Sequence, residues 1–461
     1  MKDLLETIVA KTPTFVELRY HRRLQNKFTA QKGRVEEASS RMRAGVGVRA
    51  LVDGAWGFSS TSDSTKAGIQ AAVDRAVASA RDLSKTAGGR VTLAPASLAR
   101  TDFLGDGYDE LMGTPIGEKL SRVVDLERET REGSSSVHTA ASSYSEIFEE
   151  KAIVTTDGAS ASYRIVRPEL RVRAYAERDG SQVVGHNEVG VTGGWTCLFQ
   201  HHAAQSIAAR TTKQAVDQLG APYVPGGVRT VILAPSIVGL LSHEAIGHTV
   251  EADFVLAGSI AAGKIGTRVA SELVTLCDSG VSEHMVGAGG SMPFDDEGVP
   301  AGKTVVIQDG RLVSYLHNRE TAAKFGVAPT GNARAWEYSD EPLVRMRNTY
   351  IQPGSMSLEE MIASTEDGYL LDSPGSGQAD ATGEFMFGVG YAIEIKNGKL
   401  GRVHREVTIS GVAFEMLKTV DAVSSEFRWD LGSGYCGKWQ PAKVDAGGPY
   451  LRCQVMVGGR Q

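Results

Sequence analysis

The chain has 461 residues, 41% of them hydrophobic and 23% charged, which is ordinary for a folded protein of two or more domains. The formal net charge of −6 argues against non-specific nucleic-acid binding. The four cysteines are scattered and form no disulfide framework, which predicts a reducing compartment.

No segment predicts a membrane anchor. Residues 1–11 are too interrupted by charge for a signal peptide, and they favour a short amphipathic helix instead. The longest strongly apolar run, residues 231–241, is far shorter than the ~20 residues that a membrane span needs. We therefore expect a cytoplasmic protein with neither a membrane nor a nucleic-acid partner.

The first half of the chain predicts long strands interrupted by helices. Residues 15–51 are largely extended, with turns expected at Lys32-Gly33 and at residues 43–45. Further strands are expected over residues 137–194, where Asp-Gly pairs mark hairpin turns. Apolar residues recur at helical spacing in three further stretches, residues 61–83, 116–132 and about 202–219.

The clearest linker lies near the middle of the chain. Residues 220–227 contain two prolines and three glycines, which break any regular element. We place a domain boundary there, between an N-terminal domain at residues 1–220 and a C-terminal domain at residues 221–461. The predicted fold class is α+β, with mixed strands and helices first and then a β-rich domain that carries the chemistry.

The chemistry is expected in the motif His243-Glu244-Ala-Ile-Gly-His248. A short buried strand precedes it, and Ser236 can cap a helix that carries both imidazoles and the carboxylate between them. In a metallopeptidase helix, two histidines hold zinc and a glutamate activates water. An accidental pair of histidines is the alternative, since a chance match occurs in roughly one chain per hundred of this composition.

The spacing of the two histidines predicts a distorted helix. Histidines four residues apart differ by only about 40° around a regular helix, whereas His243 and His248 are five apart and differ by about 140°. A π-type turn would bring both onto one side, and such turns cluster at functional sites. Gly247 permits that distortion. We therefore expect a departure from regular α-helical bonding between Leu241 and Glu251.

The wider motif resembles the signature of a known family. His-Glu-Ala-Ile-Gly-His-Thr-Val-Glu251-Ala-Asp253 is similar to that of the TldD/PmbA zinc metallopeptidases, in their catalytic TldD branch. The inactive branch lacks the His-Glu motif, so its presence here points to the active partner. Similar stretches run from about residue 45 to the C-terminus, at residues 53–60, 295–300, 330–332, 342–349, 435–438 and 457–459.

Two cysteines compete to be the third metal ligand. Cys453 alternates with Arg452 and Gln454 in a strand pattern, which predicts a core position. Cys436 lies in a glycine-rich loop that lets the backbone approach an ion, and Lys438 nearby favours the thiolate. The family resemblance also assigns the third ligand to this Cys-Gly-Lys position. We therefore choose Cys436.

The ligand count suggests a mechanism. Three protein ligands leave a fourth position on Zn²⁺ for water, whose pKa falls toward ~7, and Glu244 takes its proton and passes it to the leaving amine. Glu251 or Asp253 could orient a ligand histidine, although a solvent-facing position explains them equally well. By analogy with the family, Arg345 and Asn348 are expected to hold the substrate backbone or the developing oxyanion.

The resemblance implies a peptidase that cleaves peptides or unfolded polypeptide segments. It also implies a dimer, either a homodimer or a heterodimer with a motif-less paralogue. A β-rich domain suits an extended substrate that adds to it as a strand. Two other classes stay open: a zinc hydrolase of a small amide or ester, which needs a deep closed pocket, and a non-catalytic regulatory protein whose structural zinc has four protein ligands.

Overall fold

Strands and helices alternate throughout the computed structural model, which describes residues 1–86, 88–201 and 203–458. Their mixture confirms the predicted α+β class. His202, at the predicted start of the third helix, and Gly459, in the last of the similar stretches, lie outside the described residues. None of the described helices combines the length and the apolar character that crossing a bilayer requires.

The elements of the first half agree closely with the predicted order of strands and helices. In chain order they are α1 (Lys2–Val9), β1 (Phe15–Gln31), β2 (Arg34–Val52), β3 (Ala55–Thr61), α2 (Lys66–Leu83), β4 (Asp102–Leu104), α3 (Tyr108–Gly113), α4 (Ile116–Glu132), β5 (Val137–Thr155), β6 (Ser160–Arg178), β7 (Ser181–Gly190), α5 (Trp195–Gln200) and α6 (Ala204–Gln218).

The strands of this half form one sheet in the order β3-β2-β1-β5-β6-β4, with β7 paired to β6. The turn between β1 and β2 is confirmed at Lys32 and Gly33, which have positive φ angles of 51° and 72°. The turn predicted at residues 43–45 is wrong. Those residues continue β2, because Arg43 pairs with Arg23 of β1 and the ladder satisfies the backbone groups without a bend.

Amphipathic helices cover this sheet. α1 and α2 contribute apolar residues such as Leu5 and Ile69 to a cluster that includes Val48 of β2. α4 and α6 contribute Leu126 and Ile207 to a second apolar cluster with β5 and β6. In each helix the apolar residues lie on one face, and that face packs on the strands. The helical periodicity read from the sequence therefore reflects burial against the sheet.

The second half contains more strands and shorter helices. In chain order its elements are β8 (Gly227–Leu233), α7 (Pro235–Leu240), a π segment (Leu241–Gly247), a 3₁₀ turn (His248–Val250), α8 (Ala252–Leu256), β9 (Leu276–Ser279), β10 (Lys303–Gln308), β11 (Arg311–Leu312), α9 (Arg319–Phe325), β12 (Ala333–Arg334), β13 (Leu343–Val344), β14 (Asn348–Ile351), α10 (Leu358–Ala363), β15 (Asp367–Ala379), β16 (Glu384–Lys396), β17 (Lys399–His404), β18 (Val407–Val412), α11 (Ala413–Lys418), β19 (Ala422–Trp429), β20 (Tyr435–Lys438), β21 (Gln440–Lys443) and β22 (Asp445–Gly458).

Five strands of the second half close into a ring. The path runs through β22, β18, β16, β15 and β8, and β8 returns to β22. β8 is parallel to β15 and antiparallel to β22. Ring closure leaves fewer unpaired strand edges. α7 and the π segment pack against this ring through apolar residues that include Ile237, Leu241 and Ile246.

The helix that carries the His-Glu motif begins earlier than Ser236. Its N-cap is Ala234 and Pro235 occupies the first turn, where the fixed φ of proline suits a helix start. The predicted capping role of Ser236 is therefore wrong. Its hydroxyl instead donates to a carboxylate oxygen of Asp372 in β15 over 2.8 Å, which ties the helix to the ring.

The predicted distortion of the motif helix is confirmed. Residues Leu241–Gly247 are π-helical, and the backbone N–H of His248 donates to the carbonyl oxygen of His243, a bond between residues five apart. Gly247 fits because it has no side chain: a β-carbon there would lie 2.0 Å from the sulfur of Met346. The local geometry thus depends on a close tertiary contact as well as on backbone bonding.

An acidic loop of the second half, residues 295–297, joins the two sheets. Nζ of Lys151 in β5 lies 2.8 Å from Asp296, and a guanidinium nitrogen of Arg49 in β2 lies 2.8 Å from Glu297. All four side chains are buried. Removal of one partner would leave a buried uncompensated charge, which is strongly destabilising. These pairs therefore specify how the second half sits on the first sheet.

We expect Gly247→Ala to destabilise the protein, because the added methyl group would overlap the fully buried Met346. Overpacking of this kind costs about 1–3 kcal/mol. Thermal unfolding should show a Tm below that of the wild type. Gly117→Ala is the matched control, since Gly117 lies on the exposed start of α4 with no atom within 4 Å of a β-carbon.

The control variant should be neutral or more stable by about 0.4–1 kcal/mol, because alanine restricts the unfolded chain. If Gly247→Ala unfolds at the same temperature as Gly117→Ala, the close contact between Gly247 and Met346 does not constrain the π segment.

Candidate functional site

Three side chains from distant parts of the chain meet beside the π segment. The ligand atoms of His243, His248 and Cys436 all lie within 4.8 Å of one another. Sγ of Cys436 lies 3.2 Å from Nε2 of His248. The loop predicted around Cys436 is wrong: the residue belongs to β20 and pairs with Ala442 of β21. The backbone bonds of this hairpin hold the cysteine against the two imidazoles.

The surroundings of His243 fit a metal ligand. The residue is 3% exposed, and among the described residues the thiol of Cys436 is the one hydrogen-bond partner of its ring, so at least one ring nitrogen is buried without a partner. A buried polar group without a hydrogen bond costs about 1–3 kcal/mol, which coordination to a metal would offset. Two imidazoles and one thiolate are a donor set that suits Zn²⁺. The residues present therefore fit this ion.

The charges around Cys436 favour its thiolate form. Burial alone would raise the pKa of this thiol, but the imidazoles of His243 and His248 lower it to about 5. Burial lowers the pKa of His248, whereas Glu251 and Cys436 raise it to about 10. The thiolate is the form that binds zinc, and binding of a metal to His248 would displace a proton.

Glu251 supports His248 from the side opposite Cys436. Its Oε2 lies 3.0 Å from Nδ1 of His248 and accepts a hydrogen bond from Nζ of Lys438, also over 3.0 Å. Burial raises the pKa of Glu251, but His248 and Lys438 lower it to about 2. The carboxylate thus stays charged and holds the ring with Nε2 directed toward Cys436. Metal-binding histidines are commonly oriented in this way.

Asp253 and Lys438 have positions that differ from the expected ones. Oδ1 of Asp253 accepts a hydrogen bond from Lys438 over 2.7 Å, so its link to His248 is indirect. Lys438 is expected to favour the thiolate of Cys436, but its Nζ bonds to Glu251, Asp253 and a backbone carbonyl. The imidazoles supply the positive charge near the thiol instead.

Glu244 faces a cleft beside the three ligand candidates. Its Oε2 lies 3.7 Å from Nε2 of His248, and its side chain is 37% exposed. The carboxylate can therefore contact a molecule in the cleft while it stays close to the imidazole. The cleft has a volume of about 300 Å³, and its other lining residues are His248, Thr249, Phe254, Ser259, Ala379, Asp380, Ala381 and Gly437.

Sequence reasoning missed Phe254 and residues 379–381 as parts of this site. The turn after β15 reaches the cleft because the N–H of Ile260 donates to the carbonyl oxygen of Ala381 over 2.8 Å. Such a contact depends on how the ring and α8 pack, and no local pattern announces it. Phe254 does follow the His-Glu motif at a short distance, which is the one signal that could have pointed to it.

Arg345 and Asn348 lie in the framework of the site. Both are fully buried. Arg345 donates to the carbonyl oxygens of Cys436 and Gln440 over 2.6 and 2.7 Å, so it braces the β20–β21 hairpin. Asn348 donates to the carbonyl oxygen of Ser279 over 2.9 Å. This placement argues against the expected substrate-binding role, because side chains closed to solvent and bonded to the backbone cannot reach a substrate.

Cys453 lies outside the cluster, as its strand pattern predicts. It is 1% exposed and stands opposite Val231 of β8 within the ring. Burial raises the pKa of its thiol well above the ordinary range, so it remains a neutral thiol. A buried neutral thiol behaves as a small apolar side chain. The predicted core position of Cys453 is confirmed.

Sequence profiles of one family match nearly the whole chain. They are described as PmbA/TldA metallopeptidase domain 1, which matches residues 16–80, the central domain, which matches residues 112–219, and the C-terminal domain, which matches residues 226–459. The last match contains every residue of the cluster and the cleft.

Individual relatives agree with these profiles. A metalloprotease from Methanothermobacter thermautotrophicus is 34% identical over 441 residues, covering 93% of this chain and 91% of that protein. A zinc metalloprotease TldD homolog from Saccharolobus solfataricus is 28% identical and covers 97% of both chains. The crystal structure of TldE from Thermococcus kodakarensis has the same fold, with a TM-score of 0.80, 18% identity and 100% coverage of both chains. The chain therefore belongs to the PmbA/TldD family of metallopeptidases.

Proposed function

We propose that this chain is a zinc-dependent peptidase that cleaves peptides or unfolded polypeptide segments. The observation that carries the proposal is the convergence of His243, His248 and Cys436 within 4.8 Å, beside a cleft that Glu244 lines. Two imidazoles and one thiolate leave a coordination position open, as catalytic zinc requires. The relative from Saccharolobus solfataricus is named a zinc metalloprotease, which supports the choice of metal.

In this proposal His243, His248 and Cys436 hold the zinc. The bound ion supplies Lewis-acid chemistry, lowering the pKa of a water molecule and polarising the peptide carbonyl. The protein keeps the ligands in place from outside the cluster. Glu251 fixes the ring of His248 through Nδ1, and Arg345 fixes the backbone of Cys436.

Glu244 is the proposed general base. Its carboxylate accepts a proton from the attacking water and then donates that proton to the amine nitrogen as the C–N bond breaks. One group can perform both transfers because its side chain is partly exposed to the cleft and lies close to His248. The amine thus leaves as a neutral product, and the carboxylate returns to its charged form.

The edge of β15 suits an extended substrate. From Asp372 to Ala379, β15 pairs with β16 on one side, with an irregularity between Pro374 and Gly377, whereas on the other side β8 pairs only with residues 369–371. No other described strand pairs with that edge. The edge ends at Ala379, which lines the cleft. A peptide strand added there would be recognised mainly through its backbone, which favours unfolded segments over folded proteins.

Two observations favour a peptidase over the alternative functions. Among the described residues, the group that could hold a metal has three members, whereas a structural zinc site normally has four protein ligands. The cleft also continues into a strand edge, which suits a polypeptide better than a small amide or ester.

We further propose a cytoplasmic dimer, formed by two copies of this chain or by this chain and a motif-less paralogue. The shared fold with a protein named TldE is compatible with the second arrangement. We also propose the domain boundary at residues 220 and 221. It is supported by the separation of the two large sheets, since the first ends with β7 and the second begins with β8.

We expect Glu244→Gln to retain zinc and to lose peptidase activity. The amide preserves the shape of the side chain but cannot accept the proton, so kcat/KM should fall by roughly 10²–10⁴-fold. Zinc content is measured by elemental analysis and activity on a chemically unfolded protein. Glu272→Gln, at a side chain that is 76% exposed, is the control and should match the wild type. Full activity of Glu244→Gln would rule out this general base.

We expect the two buried cysteines to respond differently to replacement by serine. Cys436→Ser should lower the zinc content sharply, because a neutral hydroxyl is a poor substitute for a thiolate. Cys453→Ser should keep about one zinc per chain and show a lower Tm, because the hydroxyl is buried in the ring. Zinc loss in Cys453→Ser together with zinc retention in Cys436→Ser would exclude Cys436 as a ligand.

A further inference from the structure

Trp439 is the most exposed of the large apolar side chains in the described part of the chain, at 86%. It is the single residue between β20 and β21, three residues after Cys436. Its φ of 58° lies in the left-handed region, which is unfavourable for a bulky residue and easy for glycine. Neither the exposure nor the backbone conformation stabilises the isolated chain, and backbone strain of this kind clusters at active sites and binding sites.

Aromatic contacts connect Trp439 to the candidate metal site. The ring of Trp439 lies 6.4 Å from that of Phe254, and the ring of Phe254 lies 6.1 Å from that of His248, between centroids. Phe254 also lines the cleft. We call Phe254 and Trp439 together the aromatic lip. It extends from the imidazole, past Phe254 in the cleft, to Trp439, which projects into the solvent beyond the residues that line the cleft.

The polar groups of the cleft near the lip are bonded within the protein. The hydroxyl of Thr249 donates to the carbonyl oxygen of Ile246 over 2.7 Å, and that of Ser259 donates to the carbonyl oxygen of Thr249 over 2.6 Å. Asp380 accepts the backbone N–H of Thr382 over 2.9 Å and thereby closes its own turn. The two hydroxyls therefore have less capacity left for a polar substrate side chain, whereas the exposed carboxylate of Asp380 can still attract a basic one.

Lys438 offers no counter-charge to an acidic side chain either. Its Nζ is buried, bonded to Glu251 and Asp253, and lies 4.1 Å from the centre of the Phe254 ring. The buried ammonium group of Lys438 therefore covers part of the Phe254 ring. What remains available beside Lys438 is therefore the aromatic surface of Phe254 and Trp439.

We infer that the aromatic lip binds an aromatic or large apolar side chain of the substrate close to the scissile bond. Two successive ring contacts separate Trp439 from His248. The two centroid separations of 6.4 Å and 6.1 Å, placed end to end, equal the length of about four residues of an extended peptide at about 3.3 Å per residue. Aromatic side chains pack well on such rings. Backbone pairing along β15 would then hold the peptide, and the lip would select which bond is cleaved.

This inference rests on the proposed peptidase function and deepens it. The test uses peptide pairs that differ only by phenylalanine or alanine, at each position within four residues of the cleaved bond. At one position the wild-type protein should favour phenylalanine by about tenfold in kcat/KM, a typical discrimination by an apolar pocket. Trp439→Gly should bring that ratio close to one, and Trp439→Phe should preserve it. Glycine suits the left-handed backbone, so the first variant should fold.

Phe103→Ala serves as the control, because Phe103 is an exposed aromatic residue in β4, at 43% exposure. It should leave the phenylalanine-to-alanine ratio unchanged. A ratio in Trp439→Gly equal to that of the wild type would overturn the inference. The inference would also be overturned if Trp439→Gly kept the phenylalanine-to-alanine ratio while light scattering showed loss of the dimer. Trp439 would then be a subunit contact.

Binding of a fluorescently labelled peptide provides a second measurement that needs no turnover. In the Glu244→Gln background, the phenylalanine peptide should bind about tenfold more tightly than the alanine peptide, and adding Trp439→Gly should remove the difference. If this preference is found although the wild-type protein cleaves no peptide, the aromatic lip stands and the peptidase proposal fails. If the wild-type protein cleaves peptides and Trp439→Gly changes neither ratio, the aromatic lip fails and the peptidase proposal stands.

Discussion

One backbone hydrogen bond organises the site: the N–H of His248 donates to the carbonyl oxygen of His243. On a regular helix these residues would point about 140° apart. The π turn closed by this bond brings both imidazoles to Cys436. Tertiary contacts around the π turn stabilise it. Gly247 approaches Met346 too closely to allow a β-carbon, and Ile246 lies in the apolar core. Tertiary packing thus maintains a backbone conformation that a helix in isolation would rarely adopt.

The position of Cys436 depends on a second set of contacts, made by the β20–β21 hairpin with both halves of the chain. The hydroxyl of Tyr435, next to the cysteine, donates to Glu169 of the first sheet. Nζ of Lys443 lies 2.7 Å from the same carboxylate. Arg345 holds the hairpin from within the second half. The candidate metal site therefore requires the first sheet, although every proposed ligand comes from the second half of the chain.

Local patterns predict those features whose signal lies in neighbouring residues of the chain. The Lys32-Gly33 turn follows from the preferences of a tight hairpin, and the π turn follows from the spacing of His243 and His248 together with Gly247. The turn predicted at residues 43–45 is wrong because Gly45 is needed for close packing and not for a turn. A β-carbon there would lie 2.5 Å from the carbonyl oxygen of Thr61. That contact becomes visible only once β2 and β3 are paired.

Contacts between separate elements also limit what the sequence can predict about the site. The proposed ligands His243 and His248 are close in sequence, and their spacing predicts them. The substrate-binding role expected for Arg345 rested only on its charge and on a family resemblance. A guanidinium that suits a substrate oxyanion suits a backbone carbonyl equally well, and only burial distinguishes the two roles. Phe254 and residues 379–381 meet around the cleft, and Trp439 contacts Phe254, through the packing of separate elements, which sequence periodicity cannot indicate.

We propose that two imidazoles and one thiolate hold a catalytic zinc. Zinc X-ray absorption spectroscopy of the metal-loaded protein tests it most directly, because it measures the atoms bound to the ion. We expect two nitrogen atoms at about 2.0–2.1 Å, one sulfur atom at about 2.3 Å and one further oxygen atom. A spectrum without sulfur, or with four nitrogen and sulfur ligands from the protein, would contradict it.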